Sequence, residues 1–194
     1  MCNGLTIRLP LWVGEMLGGR EVVCAGAEDR MRLAIDLSRR NVEQGTGGPF
    51  GAAVFQRDGG RLIAAGVNLV VAGGCSVLHA EIVAIMGAQR ALGSHDLGAS
   101  GLPACELATS TEPCAMCLGA IPWSGIRSVI CGADGADAES IGFDEGDKRP
   151  DWPGRLEARG IRVRRGVLRE EAVNVLRQYV DRGGPIYNGR QGGA

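Results

Sequence analysis

Two short clusters hold residues of the kind that bind a divalent metal and move protons: His79-Ala80-Glu81 and Pro113-Cys114-Ala115-Met116-Cys117. A catalytic zinc takes three protein ligands and keeps a fourth position open for water, and one imidazole with two thiolates meets that count. His79, Cys114 and Cys117 are the candidate ligands, for one zinc per chain. Glu81 lies two positions beyond His79, too hard and too close to be the obvious fourth ligand. It is left free to carry protons between a metal-activated water and a substrate.

Each cluster alone has a plainer explanation. A single His on an apolar stretch is usually a satisfied core residue, and Cys is among the most buried residue types. A C-x-x-C pair also serves as a redox dithiol or as half of a structural zinc site. A structural site needs a fourth Cys or His, yet the other histidine, His95, sits in a polar loop. A structural site also has no use for a free acid beside a ligand. The conjunction of H-x-E before an apolar helical run with P-C-x-x-C just after a strand-like run therefore favours a catalytic centre.

The elements that must position these residues alternate between helical and strand patterns. Residues 28–44 show helical spacing in Met31, Leu33, Ala34, Ile35, Leu37 and Val42, and stop at Gly45. Residues 50–56 and 61–67 are β-like runs divided by Asp58-Gly59-Gly60, a hairpin signal. Residues 78–92 form a helix with His79 and Glu81 in its first turn, and 106–110 a short strand. Pro113 suits the first position of the next helix and sets both thiols on one face near its positive end, where thiolate is favoured. Pro122 should end or kink that helix, because its ring clashes with a preceding carbonyl. Strands over 126–131 and 161–165 and a closing amphipathic helix over 169–181 complete a three-layer α/β/α sandwich on a mixed five-stranded sheet.

Composition narrows the function classes. The 194 residues fit one domain, 1–194, without repeat or low-complexity linker. A net charge of −1 gives no basic footprint for a nucleic acid, so a small molecule is the expected partner. No apolar run approaches the ~20 residues of a membrane span. Seven cysteines are an odd number and no signal-peptide pattern opens the chain, so a cytoplasmic protein is expected in place of a disulfide scaffold.

H-x-E followed by P-C-x-x-C is the general signature of zinc nucleobase deaminases. Several further segments resemble the bacterial guanine deaminase family of the cytidine-deaminase superfold. They are Gly48-Pro49-Phe50-Gly51-Ala52, Ala64-Ala65-Gly66-Val67-Asn68, Trp123-Ser124-Gly125, Ile141-Gly142-Phe143-Asp144-Glu145-Gly146, Leu156-Glu157-Ala158-Arg159-Gly160-Ile161 and Ile186-Tyr187-Asn188. The resemblance covers nearly the whole chain, and its Phe-Asp-Glu segment is more specific than the zinc motif. Pro122 departs from the apolar residue expected there.

The resemblance implies hydrolysis of guanine to xanthine and ammonia, with azaguanine or aminated s-triazines as further substrates. A cytidine, cytosine or adenine deaminase of the same fold is the alternative. Glu81 would take a proton from water and deliver it to N3 as C2 is attacked. Glu145, which composition alone makes a solvated acid in an acidic loop, becomes a second catalytic carboxylate holding the leaving amine. Asn68 offers an amide donor and acceptor for O6 and N7. Phe50, Trp123 and Phe143 would sandwich the base, with Ala80 and Tyr187 also in the substrate site. The glycine-flanked tail, 182–194, is expected to cap an active site, in some members that of the partner chain of a homodimer.

Overall fold

Strand alternation sorts the core into two halves. In β1 (Gly51–Gln56), Ala53 and Phe55 face one cluster, while Ala52 and Val54 face the other. The same parity continues through β3 (Cys105–Thr111) and β4 (Ser128–Ala133), where Ala108 and Ile130 join the first cluster and Leu107, Val129 and Cys131 the second. A period of two with apolar residues at both parities buries both faces of a sheet.

The computed structural model describes residues 6–19 and 21–189. With β2 (Leu62–Val67) and β5 (Arg162–Arg164), the strands form one sheet in the order β2-β1-β3-β4-β5. β1 pairs antiparallel with β2 and β3, and β3, β4 and β5 run parallel. In chain order the helices are α1 (Leu11–Leu17), α2 (Ala27–Glu43), α3 (Val70–Gly73), α4 (Ala80–Leu92), α5 (Ala115–Ser124), α6 (Gly135–Ser140), α7 (Trp152–Glu157) and α8 (Arg169–Asp181). α2 and α8 cover one face, through Met31, Ile35 and Leu176. α4, α5 and α7 supply Ile85, Ile121 and Trp152 to the other. This is the α/β/α sandwich with a mixed five-stranded sheet that the sequence pattern predicts.

One glycine sets the seat of α4. A Cβ at Gly66 of β2 would lie 2.3 Å from the Ala80 carbonyl oxygen and 2.5 Å from the Ala84 nitrogen. Only a residue without a side chain lets the first turns of α4 lie on the strand at backbone contact.

Several boundaries shift from the sequence reading. α4 begins at Ala80, so His79 is its N-cap with extended backbone. Likewise Cys114 is the N-cap of α5, and Pro113 lies two residues before the first residue of the helix it was expected to open. Pro122 is accommodated because it falls in the last turn, and α5 ends two residues later at Ser124, with Gly125 left-handed at φ 80°. α1, α3, α6 and α7 carry no start signal strong enough to stand out, being six or seven residues long or, for α3, four.

Candidate active site

The N-termini of α4 and α5 meet at one side of the sheet and bring their N-cap residues together. His79 Nδ1 lies 3.4 Å from Cys114 Sγ. One donor atom from each of His79, Cys114 and Cys117 falls within 4.8 Å of the others. N-cap side chains usually accept a hydrogen bond from the helix's own first turn. Neither His79 nor Cys114 makes that bond, so their donor atoms are spared for another partner. Among the described residues no fourth Cys, His, Asp or Glu joins the cluster, and His95 is exposed elsewhere.

The electrostatics suit a metal. A hydrogen bond from the Cys117 thiol and another with His79 bring the Cys114 thiol down to about 4, so it is a thiolate at neutral pH. The hydrogen bond to Cys114, and then burial, push Cys117 far up. Mixed N and S donors with room for one more ligand match catalytic zinc.

Glu81 stands in the first turn of α4, 6% exposed. Burial, and secondarily the charge of Cys114, push its carboxyl up to about 7. It shares a cavity of about 160 Å³ with His79, Cys114, Phe50, Phe143, Glu145 and Tyr187. Glu145 is as buried as Glu81 and comes from the segment after α6. Its backbone carbonyl accepts the Ala115 N–H of α5 at 2.9 Å, which fixes this segment to the helix that begins beside Cys114. Burial raises its carboxyl, and Lys148, at 3.0 Å, opposes the rise.

The aromatic wall centres on Phe143, whose ring lies 5.0 Å from Phe50 and 5.1 Å from Tyr187, both edge-on. Tyr187 reaches the cavity of its own chain, and its hydroxyl is buried without a partner among the described residues. The part of the predicted tail from 190 to 194 lies outside the described residues. Tyr179 of α8 donates its hydroxyl to the Pro185 carbonyl at 2.6 Å, so the glycine-flanked tail is pinned at its root. Asn188 accepts the Asp144 N–H at 2.9 Å and donates to the Gly142 carbonyl at 2.8 Å, clasping both sides of Phe143.

Three sequence-predicted residues stand apart from the cavity lining. Trp123 is 89% exposed and faces a different groove, with Pro122 and Trp152. Its place as a third ring around the substrate is therefore corrected for this chain. Ala80 is fully buried under the sheet. Asn68 is buried, and its Oδ1 already accepts the Val70 N–H at 3.2 Å. Its Nδ2 has no partner among the described residues, and Oδ1 keeps a second lone pair. Conversely, Glu112, Asp144 and Asn188 line the cavity without having been singled out. Glu112 directly precedes the P-C-x-x-C motif, the one local signal that pointed to it.

Residues 25–133 match the cytidine and deoxycytidylate deaminase zinc-binding region. The chain belongs to this deaminase family. It is 40% identical over 118 residues to the guanine deaminase of Bacillus subtilis (strain 168), an alignment covering 61% of this chain and 71% of that one. It superposes on the guanine deaminase from Nitrosomonas europaea with a TM-score of 0.87 at 52% identity, covering 92% of this chain and 97% of the other. A structure of NE0047 in complex with 2,6-diaminopurine gives a TM-score of 0.89 at 52% identity, with coverage of 96% and 98%. The family region stops short of Glu145 and Tyr187, whereas the likeness to these solved structures takes in 92–96% of the chain.

Proposed function

We propose that this deaminase hydrolyses guanine to xanthine and ammonia, with one zinc per chain held by His79, Cys114 and Cys117. The observation that carries the reading is the second buried carboxylate, Glu145, in the same small cavity as Glu81 and the three-donor cluster. Likeness to guanine deaminases, over 61% of this chain for the Bacillus subtilis protein and 92% for the Nitrosomonas europaea one, supports it. When bound, zinc supplies Lewis acidity that makes water a nucleophile near neutral pH.

The chain's own groups do the rest. Glu81 accepts a proton from the attacking water and delivers it to N3 of guanine as the new C–O bond forms at C2. A carboxyl near 7 suits both halves of that transfer. Glu145 holds the exocyclic amine and helps protonate it, so that the C2–N bond breaks and ammonia leaves. Asn68 Nδ2, a buried donor without a partner, suits an acceptor on the purine edge, since leaving it unpaired costs about 1–3 kcal/mol. Phe50, Phe143 and Tyr187 pack against the flat base and keep bulk water out.

Tyr187 lining the cavity of its own chain supports a tail that acts in cis. A homodimer remains part of the reading, supported by the exposed apolar side chains of Trp123 and Met116 on α5. A cytoplasmic location suits two thiols that must stay reduced to bind metal. No helix of the described residues is long and apolar enough to cross a membrane. Xanthine formation from guanine by the zinc-loaded protein, run beside adenine, cytosine and cytidine, tests the reading. Guanine should be turned over fastest, and a higher kcat/KM on any of the other three would overturn it.

A further inference from the structure

We propose that Lys148 is a positioning residue that fixes the Glu145 carboxylate for its work on the leaving amine, an inference that rests on the reading of Glu145 above. Lys148 Nζ lies 3.0 Å from Glu145 Oε2 and 3.6 Å from Glu112 Oε2. All three side chains are largely buried, at 12%, 6% and 4% exposure. Glu112 is itself anchored from behind. Its Oε2 accepts the Gly135 N–H at 3.1 Å, and its Oε1 takes the guanidinium of Arg165. The ammonium is therefore held between an immobile carboxylate and a functional one. Its hydrogen bond takes Glu145 Oε2 and leaves Oε1 unengaged among the described residues.

Glycine 135 makes the room for this arrangement. A Cβ there would lie 2.3 Å from Lys148 Nζ, 3.2 Å from Lys148 Cε and 3.4 Å from Glu145 Oε2. The missing side chain at position 135 thus lets the Lys148 ammonium lie against the backbone. Lys148 also lines an outer groove of about 350 Å³ that Glu145 does not reach, with Ala115, Pro122, Trp123, Arg149 and Trp152 around it. It thus stands between the groove and the two carboxylates that line the cavity. An isolated carboxylate in such a site would be free to turn toward other donors. Two fixed oxygens, one engaged and one available, define where an amine can be held.

The test uses the full-length, zinc-loaded protein and follows xanthine by absorbance. Lys148→Ala should lower kcat ~10- to 100-fold, the scale of a misplaced reacting group. KM should change little and zinc should be retained. Because the hole opens to the outer groove, ethylammonium should restore much of the lost kcat, while tetramethylammonium, which has no N–H to donate, should not. Gly135→Ala should lower kcat in the same way by displacing the Lys148 ammonium, with no charged side chain removed. Wild-type kcat in Lys148→Ala or in folded Gly135→Ala would overturn the proposal, as would a loss that ethylammonium leaves unrepaired. Glu145→Gln separates the two levels. If it turns over guanine normally, the role of Glu145 itself fails; if it is impaired while Lys148→Ala is normal, only the positioning role fails.

Discussion

The cavity has two unlike halves. The metal half rests on two helix starts that lie against the sheet, with His79 and Cys114 at N-cap positions and Cys117 one turn further. The base half is assembled from the Phe50 loop, the 143–148 segment and the tail, joined by a few hydrogen bonds such as those of Asn188 and Tyr179. The difference follows from what each half must do. Bond-making groups need tolerances of about half an ångström and sit on rigid elements. A wall that admits and releases a base on every turnover must be able to let go.

That division sets an order of expected effects. Glu81→Gln should abolish turnover and keep zinc, because an amide cannot shuttle protons while the donor cluster is untouched. Elemental analysis and xanthine formation on one sample check both halves of the statement. Cys114→Ala should lose most of the zinc and the activity with it. Active zinc-free protein would break the assignment of the metal half. Glu145→Gln should keep zinc and fold while lowering turnover by at least ~100-fold, the low end for a positioned acid–base group. Deletion after Asp181 removes Tyr187 and the Asn188 clasp but touches no zinc donor. Zinc content and the circular dichroism spectrum should stay as they are, and kcat/KM on guanine should fall sharply. Full activity in the truncated protein would show that the tail is no part of the base half.

The metal half should also show itself through pH. Zinc must displace the proton that the hydrogen-bonded Cys114–Cys117 pair holds, and any proton on His79, whose pKa is also raised. Proton and metal compete for the same donor atoms, so zinc affinity falls as the pH is lowered, by up to about tenfold per unit for each proton displaced. Competition with a chelator between pH 6 and 8 measures the slope, and a flat profile would contradict it. The smallest effect belongs to Trp123→Ala. Outside the cavity, it should change kcat/KM by no more than about twofold (±0.5 kcal/mol) while the state of association is unchanged, and a larger loss should come only with loss of the dimer.

The same two halves differ in how well the sequence displays them. His79, Glu81, Cys114 and Cys117 stand in contiguous motifs whose chemistry is local, and the helix starts that carry them lie within two residues of their predicted places. α8 spans the predicted 169–181 because its apolar stripe is long and regular. Glu145 could not be told from a solvated acid by its neighbours, and only the resemblance singled it out. Trp123 shows the opposite failure. It follows the zinc motif closely, but two residues past buried Ile121 is roughly 200° around a helix, which turns the ring away from the site. Lys148 and Glu112 went unremarked because a charge pair bridging separate elements leaves no periodic trace in either. The short helices α6 and α7 were missed for want of length, since one or two turns give too few apolar positions to establish a period.

Asn188 holds Gly142 on one side of Phe143 and Asp144 on the other, and it belongs to the same strip of tail as Tyr187. The latch and the door are therefore one piece. Lifting Tyr187 off the cavity either breaks both hydrogen bonds or drags the neighbours of Glu145 along, so letting xanthine out and slackening the acid segment become a single movement. Each cycle closes by resetting that segment around a new guanine, and the pace of turnover should then register the friction of the surrounding solvent as well as the height of the chemical barrier.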